Sequence, residues 1–86
     1  MKHKEIPLPE SFCAENTDKV KENVLNLAKN NFFDITLNFA QIKSIDTAGI
    51  GLLLIIRKHV EQNNGSLSFE NIPSDIKEFM EELNII

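Results

Sequence analysis

Cys13 is the chain's one thiol, and His3 and His59 are its two imidazoles. A thiolate paired with a histidine base would be a nucleophile for acyl transfer, and it would need a third group to orient the imidazole. Nothing in the sequence positions Cys13 against His59, and an orienting third group is not evident. Cys13 therefore reads as a small apolar filler. The same residues lack metal-ligand spacing, so no metal site is expected, and no cofactor is expected either. Gly49-Ile50-Gly51 lacks the third glycine of a dinucleotide-binding turn, and no Gly-Lys-Ser/Thr follows it, so a phosphate-cradling loop is unsupported. Glu78, Glu81 and Glu82 read as the solvated face of a helix, with a partner contact as the sharper alternative. No catalytic set emerges, and the chain reads as a non-enzyme.

What remains is Asp46-Thr47-Ala48-Gly49-Ile50-Gly51, followed by an apolar run with no charge until Arg57. Asp46 or Thr47 can cap a helix, where the unpaired N–H groups and the helix dipole favour negative charge. Glycine costs a helix interior up to ~1 kcal/mol relative to alanine, so two of them in a first turn need a reason. One reason is tight packing of helix on strand. The other is an exposed helix end cleared of side chains, against which a partner's surface could lie. A phosphate on Thr47 would suit the dipole yet repel a partner fitted to a neutral surface.

The elements that would position this segment follow from periodicity. Ile6 and Leu8 alternate with Pro7 and Pro9, which allows an edge strand at best. Asn16 or Thr17 can cap a helix bearing Val20, Val24, Leu25, Leu27 and Ala28, ended by Asn30-Asn31. Ile35, Leu37 and Phe39 alternate with polar residues as a strand does. Gln41 to Ile45 is a connector. A second helix runs from Asp46 or Thr47 to about Gln62 and stops at Asn63-Asn64-Gly65. It is apolar nearly all round in its first two turns, which predicts burial on more than one side; Arg57, Lys58, His59 and Glu61 read as its solvated half. Leu67 and Phe69 lie on a further strand, and Pro73-Ser74 opens a last helix with Ile76, Phe79, Met80 and Leu83 on one face. The order β-α-β-α-β-α predicts an α/β fold with a small, mostly parallel sheet and right-handed crossovers. Functional groups gather at the carboxyl ends of the strands of such sheets, where Asp46–Gly51 falls.

The whole chain, 86 residues, reads as a single domain over 1–86. Its formal net charge of -4 argues against nonspecific nucleic-acid binding, and the absence of Trp and Tyr gives no support to base stacking. A single cysteine predicts a reducing compartment. No apolar segment follows Met1-Lys2-His3-Lys4, so no signal peptide is read. The longest uncharged apolar run, Ala48 to Ile56, falls far short of the ~20 residues that span a bilayer. The expectation is a cytoplasmic protein with no direct membrane insertion. Phe32 and Phe33 read as core, with an exposed dimer patch as the alternative. The short first strand leaves a sheet edge through which a second copy could pair as a homodimer.

The strand-loop-helix ITLNFAQIKSIDTAGIGLLL resembles the central segment of the STAS domain, the fold of bacterial anti-anti-sigma factors, sulfate-transporter tails and small subunits of ABC transporters. GSLSFENIPSDIKEFMEELNI resembles the strand and helix that follow it there. IPLPESFCAENTDKVKENVLNLA is similar to family members that open with a Leu-Pro strand. The resemblance implies a STAS-like fold and a protein-binding switch or adaptor in signal transduction and transcription regulation. Its partner would be an anti-sigma factor or another kinase-fold regulator, met through Asp46, Thr47, Ala48, Gly49, Ile50 and Gly51. In sporulation-type anti-anti-sigma factors the motif is Asp-Ser-Ser-Gly and the second Ser is phosphorylated; Ala48 stands at that position here. Thr47 fills the first hydroxyl position and is the remaining candidate acceptor. Asp-Thr-Ala-Gly is also similar to chemotaxis-cluster STAS proteins and to the STAS subunit of phospholipid ABC transporters, which implies a contact of Thr47 with a transporter ATPase as the alternative. Glu82 stands where the family has a glycine, and the family's first antiparallel strand is shortened here.

Overall fold

The computed structural model describes residues 3–30 and 34–86. Phe32, Phe33 and the helix-ending Asn31 lie outside the described residues. Three parallel strands, β1 (His3–Pro7), β3 (Asp34–Asn38) and β5 (Ser66–Glu70), form a sheet in the order β1-β3-β5. A second ladder joins β2 (Ser11–Phe12) to β4 (Ser44–Ile45), also in parallel. The helices are α1 (Thr17–Lys29), α2 (Thr47–Gln62) and α3 (Ser74–Glu82). The predicted α/β order holds with two short strands, β2 and β4, added to it, and both β1 and β5 are edge strands of the main sheet.

Period-2 patterning explains the sheet. Ile35 and Leu37 point into the core, as do Leu67 and Phe69 more shallowly, while Ser66, Ser68 and Glu70 are exposed. Strands of purely parallel sheets, covered on both faces, usually read as continuous apolar runs. The polar alternation here fits a sheet with one face on the core and the other toward solvent. Among the described residues only Thr36 is buried on that second face, beneath His3, whose Nε2 lies 3.2 Å from the threonine hydroxyl.

The core joins Leu8, Phe12, Leu37, Phe39, Leu53 and Met80, each worth roughly 1.5–3 kcal/mol when fully buried. Phe39 meets Phe69 edge to face at 5.8 Å. Both α2 and α3 end in the same device, a left-handed asparagine. Asn64 has φ 57° and Asn84 φ 59°. Gly65 N–H reaches back to Val60 O and Ile85 N–H to Met80 O, each at 2.9 Å, which satisfies carbonyls a helix end leaves orphaned.

The structure corrects four details. Asn16 sits at the start of α1 but makes no side-chain cap; its amide is spent on Ser11 O, at 2.8 Å, tying α1 back to β2. On α2, Leu54 and Ile55 stay 40% and 58% exposed, because that side of the helix is left uncovered by α1 and the strands that cover the others. On α3 the apolar stripe splits: Ile76 and Met80 are buried, Phe79 and Leu83 exposed. Arg57 and His59 are half-buried rather than solvated. Arg57 Nη1 donates to Asn84 O and Ile85 O at 3.2 and 3.1 Å, clamping the segment after α3.

Candidate functional site

Asp46 caps α2 from extended backbone, φ -116° and ψ -175°. Its Oδ1 accepts from Gly49 N–H at 3.0 Å, and its Oδ2 accepts from Ala14 N–H at 3.1 Å. One carboxylate thus fixes the first turn of the helix and fastens it to the segment after β2. The β2–β4 ladder reinforces this, as do Lys43 and Ser44 N–H, both donating to Glu10 O at 2.7 and 3.1 Å.

The Gly49 hydrogen bond, then that of Ala14, holds the Asp46 carboxyl below its ordinary range, against a smaller upward push from burial. Asp34 is lowered too, chiefly by the Ser66 hydroxyl and then by His3. A folded-state pKa below the unfolded one gives stability that is present above about pH 4 and lost as pH falls through the folded value. Asp46→Asn should therefore be less stable than the parent at neutral pH and lose less stability on acidification. Urea unfolding from pH 7 down to about pH 2 reads this; equal acid losses in parent and variant would show that the cap carries no titrating stability.

The two glycines have different reasons. Neither has positive φ, so no special backbone turn demands them. A Cβ at Gly49 would lie 2.2 Å from Phe12 O, 3.0 Å from Ile45 Cγ1 and 3.1 Å from Phe12 Cδ2. Gly49 is the close-packing glycine, where β2 passes under the helix. A Cβ at Gly51 would meet nothing within 4 Å, so Gly51 leaves open space at the surface.

The six predicted site residues therefore divide. Thr47 and Ala48 are exposed and Gly51 is half-exposed, forming a surface of small side chains. Gly49 and Ile50 lie buried beneath it and Asp46 is occupied as the cap. Beside this surface runs a groove of about 230 Å³ between α1 and α2, lined by Thr17, Asp18, Lys21, Ala48, Gly51 and Ile55. A narrower apolar cleft continues it past Val24, Leu25 and His59. Leu25 and Ile55 are 44% and 58% exposed along the way. The α1 contribution was not read from the sequence, which placed Leu25 in the apolar stripe with Val20 and Val24; the structure leaves Leu25 exposed.

The other chemical candidates do not assemble. Cys13 Sγ lies 3.8 Å from Ser44 Oγ, near the start of α2. His59 is twelve residues along that helix, about 18 Å away at 1.5 Å per residue. Among the described residues no group of three or more His, Cys, Asp or Glu could hold a metal ion. One arrangement went unread: Thr36 Oγ1, His3 and Asp34 are linked in the order of a hydrolase triad, with His3 Nδ1 3.5 Å from Asp34. Thr36, however, is only 4% exposed, so a substrate has no approach to its hydroxyl, and Ser66 bonds to Asp34 rather than to the imidazole.

No helix among the described residues is long and apolar enough to cross a membrane. The family model of the STAS domain matches residues 3–86. Comparisons with curated proteins and with solved structures find no match. STAS domains are generally regulatory rather than enzymatic, and they commonly interact with proteins.

Proposed function

The chain belongs to the STAS domain family, and on that premise we propose that it is a non-enzymatic binding switch, similar to an anti-sigma factor antagonist. It docks a kinase-fold signalling partner through the Asp46–Gly51 turn and acts in the cytoplasm. The observation that carries this reading is the open ledge of Thr47, Ala48 and Gly51. A Cβ built at Gly51 meets open space, and the apolar Ile55 and Leu25 border the same groove. A partner can approach backbone there and cover apolar surface at little cost in ordered side chains.

The switch follows from charge. Ala48 has no hydroxyl, so modification at the position of the related factors' serine is closed to this chain. Thr47 is exposed and carries a hydroxyl at the first turn of α2. A phosphate there is stabilised by the helix N-terminus and repelled by a partner fitted to a neutral, apolar ledge.

Affinity capture of the tagged chain from its host, parent beside Thr47→Glu, tests this. A kinase-fold protein retained by the parent and lost by the variant, with affinity down by at least ~tenfold, is the expected result. The variant should melt no lower than the parent, since a first-turn carboxylate favours the helix by about 0.3–1 kcal/mol. Equal affinity would move the docking surface elsewhere. A transporter ATPase in place of the kinase-fold protein would turn the reading to the ABC-type lipid transporter, which the Asp-Thr-Ala-Gly sequence also fits.

A further inference from the structure

Among the described residues no strand pairs with the outer side of β1 or of β5, and the two edges differ in a way that selects a partner. Phe39 N–H donates to Glu70 O, and Leu8 N–H to Asn38 O, each at 2.9 Å. Along a strand the N–H and C=O of one residue turn to the same neighbour, and successive residues alternate. Ser66, Ser68 and Glu70 therefore face β3 with their main-chain groups, and Leu67 and Phe69 turn theirs outward. On β1, by the same argument, His3, Glu5 and Pro7 turn outward.

We propose that β5 is a self-pairing edge, and that two copies of this chain join antiparallel about a two-fold axis at Ser68. In that register Leu67 of one copy faces Phe69 of the other, and the two exchange both main-chain hydrogen bonds, as outward-facing residues in an antiparallel pair do. The axis repeats the exchange, giving four such bonds. Leu67–Phe69 is an aliphatic–aromatic pair of the kind that stabilises sheets. Ser68 meets its own copy and Glu70 meets Ser66, so no like charges face each other. Both apolar side chains are half-buried. Two open grooves, of about 350 and 300 Å³, lie beside them, each lined by Phe69 and Ile86. Ile86 is 44% exposed in the single chain, and a second copy's Phe69 and Leu67 would bring apolar surface to it.

The β1 edge cannot answer in kind. Pairing about its middle residue sets Glu5 against Glu5, and Pro7 has no N–H to give, two features that keep edge strands apart. The β5 edge is also separate from the docking groove: the two share no lining residue. A dimer would therefore present two docking turns. With a net charge of -4 on each copy, the pairing should tighten as added salt screens their repulsion.

The register makes a strict demand, tested by sedimentation of the full chain over a range of concentrations. Ser68 is exposed on the polar face, so Ser68→Lys and Ser68→Glu should each fold, with the parent's circular dichroism. Each alone should dimerise about tenfold or more weakly than the parent, because like charges meet on the axis. Mixed in equal amounts, they should recover dimers at least as tight as the parent's. A parent that stays monomeric to about 1 mM, variants that associate as the parent does, or a mixture no tighter than its components would each overturn the proposal.

Discussion

Gly49→Ala should cost the fold more than any other single-methyl change in the docking turn. The new Cβ would be driven to 2.2 Å from Phe12 O, far inside contact distance. That oxygen is main chain and cannot swing aside as a flexible side chain would. Relief requires α2 to lift from β2, which strains the Phe12–Ile45 step of the small ladder and the Asp46 bonds to Gly49 and Ala14. Overpacking costs about 1–3 kcal/mol, and this site belongs at the upper end because backbone opposes backbone. Alanine's better helix propensity returns ~1 kcal/mol of it. For a domain of this size a net loss near 2 kcal/mol lowers the melting temperature by roughly 10–15 °C. A calorimetric scan decides it, and a shift of only a degree or two would mean that α2 has room to move off β2.

Gly51→Arg should do the reverse. Nothing lies within 4 Å of a Cβ at that position, and arginine is a good helix former, so stability should hold or rise by up to ~1 kcal/mol. The side chain would nevertheless stand on the ledge between Ala48 and Ile55. Partner binding should fall by about a hundredfold or more, as when an interface centre is blocked, with the circular dichroism spectrum intact. A titration of the partner, once captured, separates the outcomes: unchanged affinity would place the contact away from Gly51 and leave the glycine without a binding role. Taken together, the variants at 49 and 51 divide one motif into a packing half and a presenting half.

That division could not be read from the sequence. Period-2 and helical patterning made β3, β5 and all three helices legible, and the start of α2 at Asp46 or Thr47 and its end near Gln62 with them, because each element repeats its apolar signal over several turns or pleats. The β2–β4 ladder has two residues per strand, too few to show a period, so Gln41–Ile45 read as a plain connector. Gly49 owes its necessity to Phe12 O, far away in sequence and near only because those two strands pair. His3, Asp34, Thr36 and Ser66 were likewise unreadable as neighbours: they belong to three strands, and only the register brings them together. The apolar run of α2 announced burial, but not that Leu54 and Ile55 would be left over. Hydrophobicity says how much surface wants cover; the number of neighbouring elements decides how much receives it.

The bond from Ala14 to Asp46 has a consequence for how the chain folds. The proposed docking turn is built from two segments separated by all of α1 and β3, so it exists only after a large loop has closed and its entropy has been lost. A nascent or partly opened chain, even one whose main sheet has paired, presents no finished turn. A partner that recognises the turn is thus sensitive to the integrity of the N-terminal segment. Its binding in turn draws the equilibrium toward the closed ladder by mass action. Recognition and quality control would then rest on the same carboxylate.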